Sequence, residues 1–114
     1  MIRLPIDSTP LQVMTADPGD GSALALTIRY NSIGDHWEID VQDRDTDAVI
    51  AQAVPLVLGP PIFWRDPVDF FLWLEDLSGV GLDPIGGNDM GERFALYLGL
   101  KSEVSDAAAP KENR

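Results

Sequence analysis

Residues 23–42, ALALTIRYNSIGDHWEIDVQ, decide the fold. Leu24, Leu26, Ile28 and Tyr30 alternate with Ala25, Thr27 and Arg29, and Trp37, Ile39 and Val41 alternate with Glu38, Asp40 and Gln42. A period of two sends each set to its own side of a pleated strand. Between the two runs, NSIGD offers Asn31 and Gly34, residues that tolerate positive φ in a short turn. The segment therefore reads as a β-hairpin with one apolar face, on which Trp37 fills the core.

The same pattern extends in both directions. Residues 43–47, DRDTD, form a second turn, from which the chain returns along 48–54. Upstream, Ile2, Leu4 and Ile6 share a face in a strand over 2–6, which Pro5, lacking an N–H, confines to an edge or a bulge. A strand at 11–15 follows, then the turn-forming run DPGDG at 17–21. Downstream, 54–58 reads as a short apolar strand, broken at Gly59, Pro60 and Pro61.

Residues 67–77 carry two signals. Asp66 and Pro67 suit the cap and first position of a short helix, with Val68, Phe71, Leu72 and Leu74 on one side. The run over 70–77 equally suits a strand buried on both faces, and the β context favours that strand. A long Gly/Pro/Asp loop over 78–91 precedes a last strand at 93–98, with Phe94, Leu96 and Leu98 on one face. Turns every eight to twelve residues predict an all-β fold, a compact antiparallel sandwich or small open barrel of about 6–8 strands. One short helix near 67–77 remains the alternative. Unpaired edges at 2–6 or 93–98 are expected to accept a neighbour's strand.

The 114 residues suit one domain over 1–100 and a disordered tail over 101–114. The tail's charges cancel, so the net charge of −11 belongs to residues 1–100, which hold sixteen acids, five arginines and no lysine. Such a body repels DNA and anionic lipid, which argues against direct nucleic-acid or membrane binding. It is either a solubility device or a surface that lies near DNA without binding it. The N-terminus has no signal-peptide pattern, and the apolar stretch over 48–64 is broken by Pro and Gly, so synthesis in a bacterial cytoplasm is expected.

Chemistry is sparse. There is no cysteine and one histidine, which excludes thiol nucleophiles, disulfides and zinc clusters. The acids of 43–47 open like a calcium loop, but Ala48 and Val54 stand where that loop needs Gly and Glu, so a turn of solvated carboxylates explains them better. His36 has only Ser32 and Asp35 beside it in a loop, which is no triad. The glycines at 79–87 lack the cation that a phosphate cradle needs in a protein this acidic. Catalytic, cofactor and metal residues are therefore none. The candidate partner interface is Phe63, Trp64 and Arg65, since aromatic and Arg side chains are enriched at interface centres; the two rings either fold under the sheet or dock into a partner.

The opening MIRLPI (1–6), the hairpin of TIRYN (27–31) and WEIDV (37–41), and the ending RFALYL (93–98) resemble the small baseplate plug proteins of contractile-tailed bacteriophages. Order and spacing of these pieces over most of residues 1–100 carry the resemblance. Asp47 and Ala48 stand where such proteins usually place a Gly in the second hairpin turn. The resemblance implies a structural protein of the virion tail, without catalysis, that fills or seals the baseplate around the hub and spike by protein–protein contact. It implies neighbouring tail proteins as partners, with the chain in symmetric copies or as a homo-oligomer. Two rivals follow from the acidity: an inhibitor or immunity-type module that mimics DNA charge, and a small hydrolase or metal-dependent enzyme using a carboxylate cluster.

Overall fold

The alternation of residues 23–42 becomes the longest ladder of the protein: β3 (Leu24–Asn31) and β4 (His36–Asp43) pair from Leu24 opposite Asp43 to Asn31 opposite His36. The structure is a computed structural model and describes residues 1–59, 61–79, 90 and 93–103. Leu24, Leu26, Ile28, Trp37, Ile39 and Val41 all point inward and are buried. In the turn, the Asn31 carboxamide oxygen accepts the N–H groups of Ile33 and Gly34 at 3.0 and 3.1 Å. Positive φ was expected at Asn31 and Gly34, but Asp35 adopts it (φ 53), because Asn31 stays in the ladder and closes the turn with its side chain. A Cβ at Gly34 would lie 2.5 Å from the His36 ring, so a side chain there would have to push that ring aside.

Around this hairpin lie β1 (Ile2–Arg3), β2 (Leu11–Ala16), β5 (Val49–Pro55), β6 (Phe70–Asp76) and β7 (Phe94–Leu100). They form two antiparallel sheets, one of four strands in the order β2-β3-β4-β5 and one of three in the order β1-β7-β6. The inner faces of both sheets meet in one core: Trp37, Ile39 and Leu26 come from one side, and Leu72, Phe94, Leu96 and Leu98 from the other. This is the expected all-β sandwich. A single 3₁₀ turn at Lys101–Glu103 follows β7.

At 67–77 the strand prevails over the helix. β6 pairs with β7 at seven consecutive positions, from Phe70 opposite Leu100 to Asp76 opposite Phe94. The capping residues serve a tight turn, in which Asp66 N–H donates to Phe63 O and Val68 N–H to Asp66 O. A seven-pair ladder over a buried face outweighs a local cap.

Three other expectations change. The strand at 2–6 shortens to Ile2–Arg3 and then keeps one ladder bond, Leu4 N–H to Leu96 O at 2.8 Å, because Pro5 has no donor. No separate strand forms at 54–58: Val54 and Pro55 finish β5, and Leu56 turns into the core with its N–H on Trp37 O. The segment 93–98 is no edge, since β7 is central and paired on both sides. The loop over 78–91 and the tail over 101–114 lie largely outside the described residues; within them Met90 is buried and its carbonyl accepts the Ser8 hydroxyl.

Candidate interaction surface

Aromatic residues gather on the outer face of the three-stranded sheet. Ile62 exchanges two backbone bonds with Leu72, which fixes the chain against the open side of β6. Phe63 then adopts φ 71, a left-handed conformation that is costly for a bulky side chain. The two consecutive rings pass to opposite sides of the sheet. Phe63 goes beneath and meets Phe70 edge-on at 5.6 Å, and Trp64 goes above and meets Phe71 edge-on at 5.3 Å. Phe63 is buried in the core, Trp64 is half-buried, and Arg65 is exposed.

The register of the sheet enlarges this patch. Trp73 sits opposite Tyr97, which in turn sits opposite Arg3. Trp73 is 38% exposed, and the Tyr97 hydroxyl donates to Glu75 at 3.3 Å. Trp64, Trp73 and Tyr97 thus share one outer face with the exposed Arg3, and Arg65 follows Trp64 directly. Trp73 and Tyr97 were missed as interface residues from sequence, because their shared face depends on the pairing of β6 with β7. An open groove of about 390 Å³ borders the patch, lined by Leu58, Gly59, Trp73, Leu74, Glu75, Asp76 and Gly79. At the end of β6 and β7, Arg93 Nη2 meets Asp76 at 3.1 Å and its guanidinium lies 4.7 Å from the Phe94 ring centre.

The outer face of the four-stranded sheet carries an ionic network at its centre, beside the exposed Leu11 and Val13 of β2. Arg29 donates from Nε to Glu38 at 3.0 Å and through both terminal nitrogens to Asp40. Asp40 also accepts the N–H of Ala53 at 2.7 Å, so it holds a bulge of β5 in place. Its hydrogen bonds with Arg29 keep its carboxyl below the ordinary range, and the Arg29 guanidinium is raised in return. His36 Nε2 lies 2.8 Å from Glu38; that bond raises the imidazole pKa and lowers that of the carboxyl. Residues 11–55 hold eight acids against two arginines.

The side chains of this network bond mainly to one another. His36 is committed to Glu38, and no group of three or more His, Cys, Asp or Glu positioned to hold a metal occurs among the described residues. Asp43 accepts the N–H groups of Asp45 and Thr46, which makes the acidic run a side-chain-capped turn. Asp47 takes φ 59, the conformation a Gly would supply there.

No helix among the described residues is long and apolar enough to cross a membrane. No curated protein matches the chain. A family model described as the cyanophage baseplate Pam3 plug gp18 matches residues 1–101. The chain therefore belongs to that family of phage baseplate plug proteins, structural components of the virion tail.

Proposed function

We propose that this protein fills and seals the baseplate around the hub and spike, docking through the outer face of its three-stranded sheet. The observation that carries the reading is the patch of Trp64, Trp73 and Tyr97 with Arg3, in a sheet whose sandwich core is already complete without them. Of the residues singled out from sequence, Trp64 and Arg65 meet the neighbour, and Phe63 anchors their loop from below. Residues 1–100 form the working domain, present in symmetric copies, and 101–114 form a tail. The acidic four-stranded sheet faces the path of the DNA, where its negative field prevents binding. The chain is made in the bacterial cytoplasm and enters the virion during tail assembly, and it carries no enzymatic activity.

Gold-labelled antibodies against the chain test the reading by electron microscopy of intact particles. Decoration confined to the tail tip is expected. Decoration of the head or sheath, or of no particle, would overturn it. The charge-mimic alternative predicts instead a salt-sensitive one-to-one complex with a basic enzyme, and no signal on particles.

A further inference from the structure

Sheet edges are ready templates for pairing, and most proteins blunt them. Three of the four edges here are blunted. β1 is two residues long and is followed by Pro5; the open side of β6 is met by Ile62; β5 carries two register shifts, a left-handed Ala53 (φ 54) and a terminal Pro55. β2, entered directly after Pro10, has none of these devices within its span. It pairs with β3 through six consecutive positions without a bulge, and its residues LQVMTA include no charge and no proline. The bond from Tyr30 N–H to Pro10 O sets the alternation of the ladder, so Leu11, Val13 and Thr15 direct their backbone groups away from β3. No strand lies on that side among the described residues. The side chains there are apolar and exposed as well, Leu11 at 60% and Val13 at 71%.

We propose that β2 accepts an extended segment of another baseplate protein as a fifth strand of this sheet. This rests on the baseplate reading and names a partner chemistry for it. The segment is apolar or β-branched where it lies beside Leu11 and Val13, and it carries Lys or Arg at its ends. Charge selects it over a second copy. Asp7 precedes β2, and Asp17 and Asp20 follow it; the cations beside the strand are Arg44, which reaches Thr15 at 3.0 Å, and Arg29, which lies opposite Leu11 in the ladder. Antiparallel pairing of two copies would bring acid against acid at both ends, whereas a segment with basic ends meets opposite charge there.

The test compares free chain with assembled tails by hydrogen exchange and carbodiimide cross-linking. In tails, exchange over residues 11–16 is expected to slow by more than about tenfold, and cross-links are expected from Asp7, Asp17 or Asp20 to a lysine of another protein. Val13→Pro removes only an outward N–H, so the bonds to β3 persist; it should cut incorporation into tails by more than about tenfold while the melting temperature stays within a few degrees. Val13→Lys, on a side chain already exposed, should act the same way if the proline variant folds poorly. Normal incorporation of both variants, or unchanged exchange over 11–16 in tails that contain the chain, would overturn the inference alone. Cross-links only to Lys101 or Lys111 of another copy would overturn its choice of partner. Absence of the chain from tails would overturn the baseplate reading, and this inference with it.

Discussion

The two sheets of the sandwich have like inner faces and unlike outer ones. Inside, Leu26, Ile28 and Ile39 from one sheet meet Leu72, Leu96 and Leu98 from the other, all fully buried. Outside, the three-stranded sheet shows Trp64, Trp73 and Tyr97, whereas the four-stranded sheet shows Thr27, Arg29, Glu38 and Asp40 at its centre and the apolar Leu11 and Val13 at its β2 edge. Burial dictates the inner faces, so their chemistry converges; the outer faces are free to differ, and the proposed docking rests on that difference. The charged part of the four-stranded face is paired internally, because Arg29 bonds Glu38 and Asp40 and His36 bonds Glu38. A half-exposed aromatic face gains by being covered.

The largest effect should come from removing what the two sheets share. Phe94→Ala in one sheet and Trp37→Ala in the other should each cost about 3–5 kcal/mol, because both side chains are fully buried. Urea unfolding followed by fluorescence and by far-ultraviolet circular dichroism should give coincident transitions for both variants. Separate transitions would show that the sheets are independent. Asp40→Ala should cost about 1–2 kcal/mol in the same assay, since it strips the Arg29 fork and the Ala53 N–H at a partly exposed site.

On the aromatic side, Trp73→Ala should lower stability by less than about 1 kcal/mol, given its exposure, yet reduce incorporation into tails by more than about tenfold. An equal loss on mutating Thr27 to Ala would erase the contrast between the faces. Ala53→Gly should stabilise by about 0.5 kcal/mol, because glycine adopts φ 54 without strain and recovers more than it loses in chain entropy.

The smallest effect concerns pH. The folded pKa of His36 is raised, so its bond to Glu38 stabilises fully below the ordinary histidine value and fades as pH rises through the folded one. His36→Gln should therefore destabilise more at about pH 5.5 than at about pH 8.5. Asp40 behaves in the opposite sense: its stabilisation holds above the ordinary aspartate value and is lost as acid protonates it.

Much of this contrast is legible in the chain. The alternation of β3 and β4 marks inward and outward residues one by one, because both faces of that hairpin follow a period of two. β6 is harder, since Phe70, Phe71 and Leu72 are all buried and such a run has no period; the choice between strand and helix falls to its partner β7. The candidate pair at 63 and 64 divides between core and surface because Phe63 packs on Phe70 and Trp64 on Phe71, neighbours that only the tertiary fold supplies. Trp73 and Tyr97 lie 24 positions apart, and only register brings them together. The edge position of β2 among the described strands is equally hidden, because an edge is a property of sheet order and not of the strand itself.

Hydroxyl-radical footprinting of Trp64, Trp73 and Tyr97, on the purified chain and on assembled tails, bears most directly on a protein that works by surface contact. All three rings should be oxidised in the free chain and shielded in tails, while Arg29 and His36 on the opposite sheet react alike in both. Equal oxidation of the three rings in both states would contradict docking through this face.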